Sequence, residues 1–255
     1  MDKKRILLIM VIVILIALIG VLVYGYYKKL TNEVKNPIVT MEIADYGTIK
    51  IELYPDKAPN TVKNFISLIN RGYYNNLTFH RTVPGFMIQG GDINGDGSGN
   101  LEYNIPGEFI ANGYKENDLR HEKGVISMAR SNYGSMDSSL LEEGYNSAGA
   151  QFFIMDGDAS YLDGYYAAFG KVIEGLDIVE KIANLEVTYR QEELGADEEP
   201  PKDEEGNALV ADKPLNPPVI TNMSVETFGI EYGEPEKIEP FDYNTWFMQT
   251  YANSF

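Results

Sequence analysis

The chain contains no cysteine, only two histidines, and fewer basic than acidic side chains. Without cysteine it forms no disulfide, carries no thiol nucleophile and offers no N-terminal Cys for lipid modification. With His80 and His121 as its only imidazoles, it lacks the usual ligands of a zinc site. The 21 Lys and Arg against 38 Asp and Glu give a net charge of −17, which argues against nucleic acid as a partner because phosphate recognition rests on basic patches. Gly90-Gly91 and the Gly95 to Gly99 stretch lack the Gly-Lys-Ser/Thr ending of a phosphate loop. Asp92, Asn94, Asp96 and Gly97 open like a calcium loop, but the twelfth position is Tyr103 and the acid stands one residue early, at Glu102. Ser127 and Ser131 have no His–Asp partnership nearby in sequence, so a hydrolase reading has no specific support. No metal and no cofactor is expected.

What is present begins with one long apolar run. Ile6 to Tyr24 are nineteen uncharged positions. As a helix they rise about 28 Å, close to the roughly 30 Å hydrocarbon core of a bilayer. Lys3, Lys4 and Arg5 precede the run and Lys28, Lys29 and Lys35 follow it, a mild bias toward a cytoplasmic N-terminus. The rival reading is a cleaved signal peptide, with Val23-Tyr24-Gly25 as a weak cleavage site. The length of the run and the interfacial Tyr24, Tyr26 and Tyr27 favour an uncleaved anchor. The expected layout is a cytoplasmic segment 1–5, a transmembrane helix 6–27 in contact with lipid, a linker 28–37, a folded domain 38–229 and an acidic, aromatic tail 230–255. The expected location is the cell membrane, single-pass, with the folded domain outside the cytoplasm.

In the remainder, 44% hydrophobic and 12% aromatic content over 255 residues suits one sizeable core. Val39, Met41 and Ile43 alternate with polar residues, as do Ile49, Ile51 and Leu53 after Asp45-Tyr46-Gly47, which predicts a hairpin with one buried face. Val62, Phe65, Ile66 and Ile69 predict a helix with Asn60 or Thr61 as its cap, ended by Gly72. Further strands are expected at Gly124 to Ala129, Ala150 to Met155, Ala167 to Val172 and Pro218 to Thr227. Leu176, Val179 and Ile182 mark a second short helix. Arg130 to Gly149 is a Ser-, Gly- and Asn-rich loop too long for a tight hairpin. The acidic composition of Glu192 to Asp212 reads as a solvated excursion. Many short strands with two helices and no βαβ alternation predict a mainly β fold, a closed antiparallel barrel.

The most informative stretch is Phe79 to Asp92, which sets a guanidinium, a carboxamide and an imidazole among Phe79, Val83, Phe86, Met87 and Ile88. If both halves are strands joined at Pro84-Gly85, His80, Phe86 and Ile88 fall on one face and Phe79, Arg81, Met87 and Gln89 on the other. Arg81, Met87 and Gln89 together would suit a ligand with one apolar ring and a nearby carbonyl. The alternative is a structural Arg81 paired with a carboxylate. His121 lies in the charged stretch Leu119 to Lys123 and is expected to be exposed.

Phe79, His80, Arg81, Phe86, Gln89, Gly90, Gly91 and Asp92 resemble the signature of the cyclophilin family of peptidyl-prolyl cis-trans isomerases. Gln151 to Ile154, Leu162 to Gly164 and Phe169 to Val172 resemble two further blocks of that family, in the same order. The resemblance covers roughly Val39 to Thr227, interrupted by enlargements near 131–149 and 189–216. It implies an eight-stranded barrel closed at each end by a helix, and an enzyme acting on proline-containing polypeptides. Arg81 would be the catalytic residue. Phe86, Met87, Phe153 and Leu162 would hold the proline ring, flanked by Gln89 and His80, while Ala129, Arg130 and Gln151 would line the groove for preceding residues. Arg130 stands where the family more often has Asn, Tyr161 where many members have Trp, and Tyr166 where they have His. The Trp contacts cyclosporin, so binding of that inhibitor is expected to be weakened. Assisting the folding of exported proteins is the implied role. The alternative is a non-catalytic proline-binding scaffold or holding chaperone at the cell envelope.

Overall fold

A computed structural model describes residues 2–31, 35–188 and 212–251. It comprises two compact units, Met1–Lys35 and Asn36–Phe255. The first is a single helix, α1 (Lys3–Thr31), whose side chains from Ile6 to Tyr26 are exposed. It is long and apolar enough to cross a membrane, a property that signal sequences share.

In the second unit, β1 (Ile38–Ile43) and β2 (Gly47–Leu53) form the expected hairpin, with Val39, Met41, Ile43, Ile49, Ile51 and Leu53 on its buried face. α2 (Pro59–Asn70) follows, with Ala58 at its N-cap and Pro59 in the first turn. Neither Asn60 nor Thr61 supplies the expected cap. Glu108 does so from a distance: its carboxylate accepts from the backbone N–H groups of Asn60 (2.9 Å) and Thr61 (2.7 Å) and from the Thr61 hydroxyl (2.7 Å). An anion satisfying unpaired N–H groups also complements the positive end of the helix.

β3 (Thr78–Val83) and β4 (Met87–Asp92) pair across a Val83–Phe86 turn, closed by the Phe86 N–H donating to Val83 O at 3.1 Å. Pro84 suits the first central position of that turn, and Gly85, at φ 69°, the second. β5 (Val125–Met128) comes next, then the short helices α3 (Tyr133–Met136) and α4 (Leu141–Tyr145) inside the Arg130 to Gly149 stretch that reads as loop in sequence. β6 (Phe152–Met155), β7 (Ala168–Glu174) and α5 (Leu176–Ala183) complete the middle of the chain. The acidic excursion is bracketed by a two-residue ribbon of β8 (Val187–Thr188) and β9 (Lys213–Pro214), and its residues 189–211 lie outside the described part. β10 (Ile220–Glu226) returns to pair with β1, and α6 (Tyr243–Tyr251) ends the described chain.

The eight main strands form one antiparallel, curled sheet in the order β10-β1-β2-β7-β5-β6-β4-β3. It is a half-barrel, which corrects the closed barrel expected from sequence. Among the described residues the only β-bridge between the β3 and β10 segments is Thr78–Val219, flanked by Phe79 N–H to Pro218 O (3.0 Å), Ile220 N–H to Leu77 O (2.8 Å) and Asn76 N–H to Ile220 O (2.7 Å). Pro217 and Pro218, just before β10, carry no N–H to extend a ladder.

The inner face of the sheet, with α2 and α5, encloses the main core, in which Phe65, Tyr74, Phe79, Phe152 and Phe169 are fully buried. A second, smaller cluster lies on the outer face of β4, β6 and β5 and holds Met87, Val125, Phe153, Met155, Leu162 and Ala168. Burial on both faces explains why β6 reads as a continuous apolar run and β5 as one broken only by the buried Ser127. The tail runs back along the domain: Arg71 pairs with Glu234 at 2.6 Å, Asn104 bridges to Ile238, and Tyr133 stacks on Tyr243 with ring centres 5.5 Å apart.

Candidate active site

The outer cluster floors a cavity of about 140 Å³ lined by Arg81, Phe86, Met87, Gln89, Ala129, Arg130, Phe153, Leu162 and Tyr166. That volume compares with the roughly 150 Å³ that accepts a benzene-sized ring. It adjoins a more polar cavity of about 270 Å³ that shares Gln89, Ala129 and Arg130 and adds Gly97 to Asn100 and Gln151. A larger cavity, about 530 Å³ between α2 and residues 227–234, lies apart from both.

The residues singled out from sequence meet here with two exceptions. His80 is buried and does not line the cavity. The pairing shifts between Phe79–Gly90 and Arg81–Gln89, so His80 is the extra residue of a β-bulge. The bulge also overturns the expected alternation of faces: Phe79 goes into the main core while Arg81, Gln89 and Met87 face the cavity. Phe86 joins them instead of sharing a face with Ile88, because it sits in the turn before β4. Gln151, the second exception, lines only the adjoining cavity.

Gln151 is held from behind. Its amide donates to Gly97 O and Gly99 O, both at 3.0 Å, and its Oε1 accepts from Gln89 Nε2 at 3.0 Å. The loop that presents those carbonyls is shaped by Asp92, whose buried carboxylate accepts from the N–H groups of Asn94, Asp96 and Gly97. The calcium-like motif is therefore a loop brace that reaches the site through Gln151.

Arg130 lines both cavities. Its guanidinium lies 4.4 Å from the ring centre of Tyr166, 5.0 Å from Tyr145 and 5.7 Å from Phe109, and donates to the carbonyls of Tyr165 and Ser131. Burial pushes its pKa below the ordinary arginine value, with Tyr166 and Tyr145 opposing. Tyr161 is exposed on the cavity rim and stacks on Phe86 at 6.1 Å.

Three features escape sequence reasoning. The first is His121, which is buried rather than exposed: its backbone N–H donates to Asp163 Oδ1 at 2.7 Å, and the side chain turns inward while Arg120 and Glu122 stay at the surface. The second is the row that this creates, Asp163–His121–Ser127, with ring nitrogens 3.1 Å from Asp163 Oδ1 and 3.1 Å from Ser127 Oγ. Its order is that of a hydrolytic triad, but Ser127 and His121 are sealed from solvent beneath Phe153, on which the imidazole stacks at 6.0 Å. A nucleophile must reach its substrate, so the row is a packing device under the cavity floor. Burial lowers the His121 pKa below its ordinary 6.5, against the raising effect of Asp163. The third is Asp212, whose carboxylate accepts from Arg81 Nε at 2.6 Å. Arg81 therefore both lines the slot and pairs with a carboxylate, the pairing being the alternative raised from sequence.

Comparison with known proteins agrees with this geometry. Residues 38–223 match the family model for cyclophilin type peptidyl-prolyl cis-trans isomerase/CLD. Peptidyl-prolyl cis-trans isomerase B of Bacillus subtilis is 39% identical over 145 residues, covering 57% of this chain and 90% of that protein. Peptidyl-prolyl cis-trans isomerase-like 2 of Rhizopus delemar is 39% identical over 166 residues, 63% of this chain but 27% of that longer protein. Among solved structures, a cyclophilin type peptidyl-prolyl cis-trans isomerase from Cryptosporidium parvum, crystallised in the presence of dipeptide ala-pro, is similar with a TM-score of 0.54 and 29% identity, covering 74% of this chain and 98% of that one. The motif, the curled eight-stranded sheet and the ring-sized slot beside an arginine converge with these likenesses: the chain belongs to the cyclophilin-type peptidyl-prolyl cis-trans isomerases.

Proposed function

We propose that this isomerase is anchored in a membrane by residues 6–27 and turns over X–Pro bonds of exported proteins outside the cytoplasm, with Arg81 as the catalytic residue. The observation that carries the site assignment is a permanently charged guanidinium on the wall of an apolar slot sized for one small ring.

Rotation about a peptide bond meets a barrier of about 18–20 kcal/mol because the nitrogen lone pair is delocalised into the carbonyl. For X–Pro the two isomers are nearly equal in energy, yet they exchange over tens to hundreds of seconds. A catalyst need only favour the twisted state, in which the prolyl nitrogen regains its lone pair. Donation from Arg81 to that nitrogen is stronger when the bond is twisted than when it is planar, which is the condition for catalysis. Phe86, Met87, Phe153 and Leu162 hold the ring while the acyl side swings. Gln89, braced by Gln151, binds the peptide next to the ring, and Ala129 and Arg130 border the groove for the residues before it. Lowering the barrier by about 7 kcal/mol gives roughly 10⁵-fold acceleration.

The Ala-Pro dipeptide named for the Cryptosporidium structure supports a proline-containing ligand for this slot. Tyr161 offers a smaller, more polar ring than Trp at the rim, so cyclosporin is expected to bind weakly. The second reading, a proline-binding scaffold without turnover, draws on the Asp212 ion pair, which offsets part of the Arg81 charge. A protease-coupled isomerisation assay on a proline tetrapeptide, with the full chain in detergent, separates them. Acceleration over the uncatalysed rate is expected, and none would leave the scaffold.

A further inference from the structure

Asp212 is the last residue of the acidic excursion, the one of that run that is described, and stands immediately before β9. It is held on both sides. Its backbone carbonyl accepts from the Thr82 N–H at 2.8 Å, on the open edge of β3, and the residues that follow it pair with β8 through Lys213–Thr188 and Pro214–Val187. Its side chain is 11% exposed, against 33% for Arg81, so a largely buried carboxylate grips a partly exposed guanidinium. The bond engages Nε alone, and among the described residues no protein hydrogen bond to either Nη group is found.

We propose that Asp212 is a positioning residue for Arg81, fixing the guanidinium through Nε so that its Nη groups face the proline slot. This rests on the isomerase reading of that slot. An arginine side chain is long and rich in rotamers, and one that donates only in a twisted, short-lived state gains from being oriented beforehand. A bidentate grip across the Nη groups would have used up those donors. An Nε grip anchored on the neighbouring residue Thr82 orients the fork and leaves its outer edge available. The acidic excursion is thus tied to turnover at its foot, through one side chain that the slot itself does not contain.

The competing effect has the opposite sign. If partial neutralisation by Asp212 outweighed orientation, its removal would speed the reaction. The test is steady-state isomerisation by the full chain in detergent for wild type, Asp212→Ala, Asp212→Glu and Asp212→Asn, with melting temperatures and the NMR signal of the Arg81 Nε–H. Asp212→Ala is expected to lower kcat about tenfold with KM within about twofold of wild type, and to move the Nε–H signal toward that of a solvent-exposed arginine. Glu at 212 is expected to recover most of the rate. Asn, an uncharged acceptor of the same shape, is expected to lose several-fold, and provides the reading if the Ala variant does not fold. Unchanged or raised kcat in either folded variant, or a loss confined to KM, would overturn the proposal while leaving an active wild type as an isomerase. An inactive wild type would overturn both.

Discussion

The two faces of β6 set neighbouring phenylalanines to different tasks. Phe152 points inward, fully buried, with edge contacts to Phe65 and Tyr74 at 5.6 Å each and to Phe79 at 6.2 Å. Phe153 points outward, over His121 and beside Tyr166, and floors the slot. The same parity separates Ile88 from Met87 and Ile126 from Val125. Hydropathy cannot distinguish the members of each pair. Strand geometry does, and it turns one face into the main core and the other toward the slot.

The comparison breaks if the two faces respond alike to truncation. Phe152→Ala should cost about 3–5 kcal/mol of stability, read by chemical denaturation, because it opens a cavity among rings that cannot collapse. Phe153→Ala should cost less stability but lower kcat/KM by about tenfold or more in the folded fraction, since the proline ring loses its floor.

The buried row beneath Phe153 sharpens the contrast through pH. Burial sets the folded pKa of His121 below the ordinary 6.5, against the raising effect of Asp163. The unfolded chain therefore takes up a proton first, and stability present above about pH 6.5 is lost as the pH falls toward the folded pKa. Melting temperature should drop between pH 7 and pH 5, and His121→Asn should flatten that part of the profile. The smallest effect is expected at the border of the slot. Arg130→Ala removes a cation seated on Tyr166, and should change KM by about threefold, with the sense depending on the residue before proline, and leave kcat near wild type.

Much of the slot was legible because its residues stand in contiguous runs, Phe79 to Asp92 and Gln151 to Ile154, whose order and spacing carry a family pattern. The hairpin of β1 and β2 and the runs of β5 and β6 were legible through period and continuity. What escaped depends on contacts distant in sequence. Glu108 caps a helix 47 and 48 residues away, His121 finds Asp163 across 42 residues, and Asp212 reaches Arg81 across 131. Composition misled in two of these cases, because a charged stretch predicts exposure for His121 and an acidic run predicts solvation for its last residue. Alternation failed at His80 because one bulged residue resets the parity of a strand. Closure of the barrel failed because it required a ladder between β3 and β10, where Pro217 and Pro218 supply no donors.

The central claim is that one guanidinium beside an apolar slot loosens the bond before proline. It is tested most directly by isomerisation kinetics of the full chain with Arg81→Ala and Arg81→Lys, alongside circular dichroism and melting curves. The account predicts a loss of kcat/KM of about a hundredfold or more in both variants with the fold retained, because lysine lacks the planar fork. Near wild-type turnover by a folded Arg81→Ala variant would contradict it.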